Sequence, residues 1–164
     1  MSHLGVLQQA DIFYGFSPAQ LSRVAEACQE RAFHTGETVF HENSSSDELY
    51  LIARGEVEIV VDPTLVSDRP GSVSPPATIA TLRRGQCFGE VALVDQGLRS
   101  ATARCAANDT RLLVIPRALL MALCEDDPAL GFRLMHNLAA DLALKIRNTD
   151  LRIREQLLYG ERRR

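Results

Sequence analysis

Residues 88–102 read Phe88-Gly89-Glu90-Val91-Ala92-Leu93-Val94-Asp95-Gln96-Gly97-Leu98-Arg99-Ser100-Ala101-Thr102. Gly89 permits a close approach of the backbone, and the residues after it predict a short helical turn whose N–H groups attract an anion. The planar guanidinium group of Arg99 can donate hydrogen bonds to two phosphate oxygens at once. An anion bound there repels the carboxylate of Glu90 unless this carboxylate accepts a hydrogen bond from a hydroxyl of the same ligand. A sugar phosphate suits both side chains, because Glu90 can accept a hydrogen bond from a ribose hydroxyl while Arg99 binds the phosphate.

This stretch resembles the phosphate-binding cassette of cyclic-nucleotide-binding domains of the catabolite activator and protein kinase A regulatory type. That family's pattern is F-G-E, an apolar residue, A-L, a short variable loop, then R and, two residues later, A-T. Segments 36–40, 47–52 and 55–57 resemble its first strands, and the likeness extends from about Ile12 to Leu158. It implies one cyclic-nucleotide-binding domain over residues 1–164, with a β-roll at about 31–115 and C-terminal helices at about 117–158.

The resemblance also assigns roles within the cassette. The implied ligand-binding residues are Phe88, Gly89, Glu90, Val91, Ala92, Arg99, Ser100 and Ala101. Among them, Glu90 corresponds to the acceptor of the ribose 2′-hydroxyl, and Arg99 corresponds to the partner of the cyclic phosphate. Gly89, Val91 and Ala92 correspond to backbone contacts with the ligand.

Ser100 stands at the position that helps to select the base. Family members with Thr there tend toward cyclic GMP, whereas the bacterial catabolite activator protein has Ser and uses cyclic AMP. The resemblance therefore favours cyclic AMP as the ligand, with cyclic GMP as the alternative, and implies no metal and no further cofactor.

Two departures from the family pattern have structural consequences. Asn43-Ser44 replaces the glycine of the turn after the second strand, and we expect no harm because Asn tolerates left-handed geometry. Leu98 stands where many family members have proline before the arginine, which we expect to loosen the loop and weaken binding.

The apolar pattern divides the chain into a helix, a strand-rich middle and further helices. Ser17, Pro18 and Gln20 have the form of a capping box and predict a helix of about 11 residues. Short β-type runs with no helices between them favour antiparallel pairing in a barrel, roll or sandwich. These runs are Arg31–Phe33, Thr38–His41, Glu48–Ala53, Glu56–Val61, Thr78–Leu82, Ala101–Ala107 and Arg111–Ile115.

Together with the resemblance, these runs predict an α+β fold class: an antiparallel, jelly-roll-like β-roll (a double-stranded β-helix) flanked by an N-terminal helix and C-terminal helices. Asp62–Ala77 is expected to be a long exposed loop.

After Pro116 the pattern predicts a short helix at Ala118–Cys124 and a long one from about Ala129 to Leu158. The long helix carries apolar residues at the spacings of four and three that are typical of a heptad seam. The seam residues are Met135, Ala139, Leu142, Ile146, Thr149, Ile153 and Gln156. We expect the first two turns to pack on the roll and the part beyond about Ile146 to pair with a second copy, giving a homodimer.

In the resembled family this C-terminal helix also covers the base, which makes Asn148 and Thr149 candidates for base contact. Ligand binding is then expected to alter how the helix packs. The chain stops at Arg164 without room for a helix-turn-helix domain. We therefore expect no DNA binding by this chain, and an effector that is another protein or a fused segment.

Composition narrows the class of protein. The 164 residues are 46% apolar and 24% charged with a net charge of −3, as in a globular domain. Apolar runs fall short of the roughly 20 residues that span a bilayer, and residues 1–5 lack the basic region and apolar stretch that are typical of a signal peptide. This negative net charge argues against a groove that binds nucleic acid. The cysteines show no C-x-x-C spacing and are expected to be reduced packing residues. We expect a cytoplasmic protein with no membrane partner.

Other interpretations remain open. Arg99 and Glu90 are compatible with a solvated ion pair on a ligand-free structural or dimerisation adapter of the same fold. An incomplete cupin metal motif is formed by Gly36, His41, Asn43, Glu48 and Gly55. Asn43 stands there in place of a histidine, and the ligand of the second motif is missing. No G-x-S-x-G motif indicates a hydrolase. The sequence therefore predicts a sensor domain and not an enzyme.

Overall fold

Two antiparallel sheets form the middle of the protein in the computed structural model, which describes residues 3–45, 47–66 and 75–160. Within those ranges the strands are β1 (Gln29–Phe33), β2 (Thr38–Phe40), β3 (Glu48–Arg54), β4 (Glu56–Val61), β5 (Ala77–Arg83), β6 (Cys87–Phe88), β7 (Thr102–Cys105) and β8 (Thr110–Pro116). One sheet has the order β1-β8-β3-β6 and the other β2-β7-β4-β5. The expected α+β class with an antiparallel β-roll is confirmed.

The core has two layers because β3 and β8 are buried on both faces. Alternate residues of a strand point to opposite sides of its sheet. Leu49 and Leu51 of β3 belong to a cluster with the helices, whereas Tyr50 and Ile52 belong to a cluster with the second sheet. This double burial explains why 49–53 and 112–115 read as unbroken apolar runs and not as alternating strands.

The helices enclose one side of the roll. They are α1 (His3–Leu7), α2 (Pro18–Ala27), α3 (Glu90–Asp95), α4 (Arg117–Asp126) and α5 (Pro128–Gly160). The predicted capping box of α2 is present: the Gln20 N–H donates to Ser17 Oγ at 3.2 Å, and the Ser17 N–H donates to Gln20 Oε1 at 3.0 Å. No helix within the described ranges has the length and apolar character needed to cross a membrane.

Helix α5 packs on the roll through a different line of residues from the predicted seam. Leu130, Leu134 and Leu138 are at most 1% exposed, whereas Met135 of the seam is 38% exposed. These three leucines repeat every four residues, so they form one face of the helix. From Ile146 to Leu158 every side chain of α5 is exposed. The expectation that α5 extends past the roll is confirmed, but the residues that anchor its first turns were mispredicted.

Within the described residues, four short elements have no counterpart in the sequence prediction. They are helix α1, the 3-10 turns at Asp11–Phe13 and Pro63–Val66, and β6, which has only two residues. The expected loop 62–77 lies partly outside the described residues; its described ends form a 3-10 turn at Pro63–Val66 and the start of β5 at Ala77. The short elements escape a periodicity analysis because they contain less than two periods of any apolar pattern.

Candidate functional site

The cassette begins where β6 ends and α3 starts, and Gly89 makes this junction. Its φ is +83°, in the left-handed region that residues with a Cβ rarely adopt. A Cβ on Gly89 would lie 2.6 Å from Nη1 of Arg99 and 3.1 Å from the carbonyl oxygen of Glu48. Glycine is therefore required both for the turn and for the close approach of the Arg99 side chain.

Arg99 is buried inside the cassette. Only 2% of the residue is exposed. Nη1 donates to the carbonyl oxygen of Gly89 at 2.9 Å, and Nη2 donates to that of Glu48 at 2.8 Å. The guanidinium carbon lies 4.2 Å from the ring centroid of Phe40. Burial lowers the pKa of Arg99 from its usual value, and nearby acidic groups including Glu48 act in the opposite direction. A cation held in this way is positioned to bind an anion that enters the cassette.

The backbone of Arg99 is fixed by the turn after β2. The Arg99 N–H donates to the carbonyl oxygen of Ser44 at 2.9 Å, and the Asn43 N–H donates to that of Arg99 at 2.8 Å. Asn43 has a φ of +63°, the left-handed geometry that asparagine tolerates. Asn43 therefore adopts the left-handed backbone geometry at the turn where the family usually has a glycine, as expected. Leu98, in place of proline, is 58% exposed.

Aromatic and polar side chains lie next to Arg99. The rings of Tyr50 and Phe88 are stacked with centroids 5.1 Å apart. The Tyr50 hydroxyl donates to the Glu48 carboxylate at 2.6 Å, and Arg31 donates to the same carboxylate through two nitrogens. Burial opposes ionisation of Glu48, but the bonds from Arg31 and Tyr50 outweigh it and lower the pKa of this carboxyl. Glu48, Tyr50 and Arg31 therefore hydrogen-bond to one another next to the cassette arginine.

Glu90, the first residue of α3, is also buried and already has a cationic partner. Nζ of Lys145 lies 2.9 Å from Glu90 Oε1, 2.8 Å from Asp141 Oδ2 and 3.2 Å from the carbonyl oxygen of Cys87. Burial by itself lowers the pKa of Lys145, yet the carboxylates of Glu90 and Asp141 raise it above its usual value. Lys145 belongs to α5, so this contact joins the C-terminal helix to the cassette.

The sequence analysis missed Lys145. Two signals pointed to it: it is the only lysine of the chain, and it stands four residues after Asp141, so the two share a helix face. Asn148 and Thr149, the predicted candidates for base contact, lie one turn further along and are both exposed. The Thr149 hydroxyl donates to the carbonyl oxygen of Lys145 at 2.9 Å.

The other predicted cassette residues lie around this pair of charged groups. Phe88 is 3% exposed and Ala101 is 7% exposed, so both residues are buried in the core. Val91 and Ala92 lie in the first turn of α3. Ser100 is exposed at the end of the loop, next to Arg99. The fold therefore brings Gly89, Glu90 and Arg99 together and leaves Ser100 accessible beside them.

The cupin-like residues have a different arrangement. The Glu48 carboxylate is bound by Arg31 and Tyr50, and His41 is exposed in the turn after β2. In the described parts of the chain, no group of three or more His, Cys, Asp or Glu side chains is arranged to hold a metal ion. Glu48 instead supports the arginine of the cassette through its backbone carbonyl.

Comparison with known proteins agrees with this geometry. The profile of the cyclic nucleotide-binding domain matches residues 30–127, which include every strand except the first residue of β1. The chain belongs to this family. The β-roll, the cassette and α4 lie within the matched residues, and α5 begins directly after them.

Similar proteins include bacterial regulators. The cyclic AMP receptor protein of Thermus thermophilus is 32% identical over 147 residues, which cover 90% of this chain and 62% of that protein. The crystal structure of the Thermus thermophilus catabolite activator protein matches with a TM-score of 0.71 over 88% of this chain and 62% of that one. A cyclic nucleotide-binding domain from Methylobacillus flagellatus matches with a TM-score of 0.77 and 25% identity, covering 94% of this chain and 82% of that one.

A third kind of relative is an enzyme in which this domain is a small part. The lysophospholipase nte1 of Neosartorya fischeri is 25% identical over 156 residues, which cover 79% of this chain and 10% of that protein. The chain thus spans less than two thirds of these curated relatives.

Proposed function

We propose that this domain is a regulatory sensor that binds a cyclic nucleotide, with cyclic AMP preferred over cyclic GMP, and that it has no catalytic activity of its own. The observation that carries the proposal is the buried pair of Arg99 and Glu90, brought into one cassette by the left-handed Gly89. One cation and one hydroxyl acceptor suit a ribose cyclic phosphate. The similarity to the cyclic AMP receptor protein supports the same ligand class.

In the proposed complex, the guanidinium of Arg99 binds the cyclic phosphate, and the carboxylate of Glu90 accepts the ribose 2′-hydroxyl. Arg99 suits this role because the Gly89 and Glu48 carbonyls and the Phe40 ring already hold it in place. A donor oriented before binding loses less conformational entropy when the ligand arrives. Because Arg99 is only 2% exposed, the proposed complex also requires the cassette to open enough for the phosphate to reach the guanidinium.

Titration calorimetry of the full chain with cyclic AMP and with cyclic GMP tests this proposal. We expect saturable binding of both nucleotides with a lower Kd for cyclic AMP. Ser100→Thr, an exposed change, is expected to lower the Kd for cyclic GMP relative to cyclic AMP by about threefold to tenfold, as one added hydrogen bond of about 1 kcal/mol predicts. Absence of heat with either nucleotide, and of any rise in melting temperature, would contradict the proposal.

A ligand-free adapter of the same fold is the second candidate. It is favoured by one observation: Arg99 and Glu90 both have internal partners, so neither needs a ligand to offset its burial. The same calorimetry distinguishes the two, because an adapter gives no heat with either nucleotide.

We further propose that the domain transmits its signal through α5, as a homodimer that acts on a partner protein or a fused effector. The support is the exposed apolar side chains on the distal half of α5, which form two lines about 200° apart around the helix: Leu144 with Leu151, and Ile146 with Ile153 and Leu157. Leu144, Ile146, Leu151, Ile153 and Leu157 are between 49% and 66% exposed. Apolar residues in this number on one helix are typical of an interface. We place the protein in the cytoplasm, since its four cysteines are free thiols.

Sedimentation of the full chain tests the dimer. We expect a dimer whose dissociation constant rises by tenfold or more in Ile153→Arg, because a charge in an apolar helix seam costs about 2 kcal/mol or more. Arg154→Ala, on the next exposed position, is the control and should leave the dimer intact. A wild-type chain that sediments as a monomer at high concentration, with and without nucleotide, would contradict the dimer.

A further inference from the structure

The two oxygens of the Glu90 carboxylate differ in their contacts. Oε1 lies 2.9 Å from Nζ of Lys145 on α5. Within the described ranges no group of the protein hydrogen-bonds to Oε2, and this oxygen is not sealed from solvent. The side chain as a whole is only 7% exposed. Glu90 therefore has one oxygen bound by the protein and one that can accept a hydrogen bond from a ligand.

Lys145 is itself held from two other directions. Nζ lies 2.8 Å from Oδ2 of Asp141, which stands one turn earlier on the same helix face. It also lies 3.2 Å from the carbonyl oxygen of Cys87, the first residue of β6. An ammonium group has three protons, so these two acceptors and Glu90 Oε1 use all of them. The position of the ammonium is thus set by α5 and β6 independently of Glu90.

We infer that Lys145 is a positioning residue for ribose recognition: by binding Oε1 it leaves Oε2 as the oxygen that accepts the 2′-hydroxyl of the nucleotide. The inference rests on the proposed function, which assigns that hydroxyl to Glu90. It adds the group that determines which carboxylate oxygen the ribose meets. Lys145 acts through Glu90 and does not itself contact the ligand.

Holding the carboxylate in advance favours the ribose contact. A glutamate side chain loses rotational freedom when it is fixed in one orientation, and a ligand that must fix it binds less tightly. The contact with Lys145 fixes the Glu90 side chain before the ligand arrives. Without this contact, the ribose hydroxyl would have to order the carboxylate as well as bind it.

Lys145 also offsets charge at the site. Arg99 and Lys145 carry two positive charges, and Glu90 and Asp141 carry two negative charges, so the four groups sum to zero. Burial lowers the pKa of Lys145, but the carboxylates of Glu90 and Asp141 raise it above its usual value, so the side chain is charged at neutral pH. This electrostatic contribution acts on any cyclic nucleotide, whereas positioning acts only on one that has a 2′-hydroxyl.

The 2′-deoxy analogue of cyclic AMP separates the two contributions. In calorimetry of the full wild-type chain we expect a Kd for the analogue about tenfold to hundredfold above that for cyclic AMP, the size of one hydrogen bond to a charged group. In Lys145→Met this ratio should fall below about threefold, because the carboxylate is no longer held. The ratio is the readout, since an effect on folding or on the charge of the site weakens both ligands alike.

Arg147→Met is the matched control. It removes the same charge from an exposed position on the same helix and should keep the wild-type ratio. Lys145→Ala introduces the residue with the highest helix propensity, and as a second variant it should lose the ratio in the same way as Lys145→Met. Glu90→Ala should also abolish the ratio, and adding Lys145→Met to it should change the ratio no further, because the two residues act through one contact.

The outcomes distinguish this inference from the proposed function. A ratio lost in both Lys145 variants and kept in Arg147→Met would support the positioning role. Lys145 variants that bind both ligands more weakly at the wild-type ratio would overturn that role and leave the proposed function intact. A wild-type chain that binds neither ligand would overturn the proposed function, and the inference with it. Equal wild-type affinities for the two ligands would overturn the assignment of the ribose to Glu90, and with it the role of Lys145.

Discussion

Replacing Arg99 by alanine is expected to raise the Kd for cyclic AMP by about hundredfold or more. The side chain meets a full ligand charge in a buried cassette, and hydrogen bonds to charged groups contribute about 1.5–3 kcal/mol each. The same substitution leaves the carbonyl oxygens of Gly89 and Glu48 without the donors that now bind them at 2.9 Å and 2.8 Å. The variant should therefore also unfold at a lower temperature, and binding is measured well below that midpoint by calorimetry.

Arg104→Ala is the matched control. Arg104 lies on β7 a few residues beyond the cassette, and its guanidinium forms an exposed ion pair with Glu58 at 3.0 Å. It removes the same charge and the same number of atoms, so a general electrostatic effect on the ligand would appear in both variants. Affinities that fall equally in Arg99→Ala and Arg104→Ala would place the phosphate outside the cassette.

Glu90→Ala is expected to weaken binding less than Arg99→Ala. It removes a hydroxyl acceptor but also relieves the repulsion between a carboxylate and the cyclic phosphate. It also removes the carboxylate that Lys145 contacts at 2.9 Å. The relief of repulsion offsets part of the lost hydrogen bond, and calorimetry of both variants under identical conditions measures the order.

Most of the fold could be predicted from the sequence because its elements carry local signals. The capping residues at Ser17 and Gln20, the β-type runs and the long apolar pattern after Pro128 each specify their own element. The strands Glu56–Val61 and Glu48–Arg54 were located within one residue of their observed ends. β6 was missed because two residues form a strand only through pairing with β3, which is a tertiary event.

The candidate site was predicted only where its residues are consecutive in the chain. Gly89, Glu90 and Arg99 belong to one motif, and the structure brings them together. The contacts that depend on distant segments were not visible: Glu48 under Arg99 comes from β3, and Lys145 over Glu90 comes from α5. A helix that runs for 33 residues places many side chains at equivalent angles, so the pattern alone did not single out Lys145. The assignment of Asn148 and Thr149 to base contact stays a prediction.

Gly89→Ala is expected to lower the free energy of unfolding by about 2 kcal/mol and to raise the Kd for cyclic AMP by tenfold or more. A left-handed φ costs a residue with a Cβ about 1–2 kcal/mol. The new Cβ also stands 2.6 Å from Nη1 of Arg99, and Arg99, as the end of a flexible side chain, is the group that must move. Stability then changes moderately, whereas the guanidinium leaves the position that the proposed function assigns to the phosphate.

Gly36→Ala separates these two effects. Gly36 has a φ of +87°, close to that of Gly89, but a Cβ there meets nothing within 4 Å. This variant should carry the backbone cost of about 1–2 kcal/mol in chemical denaturation and bind cyclic AMP with the wild-type Kd. If Gly36→Ala and Gly89→Ala lost stability equally and both kept their affinity, the close approach of Arg99 to Gly89 would have no part in binding. If only Gly89→Ala lost affinity, the position of the guanidinium and not the turn itself would determine how tightly the cassette holds its ligand.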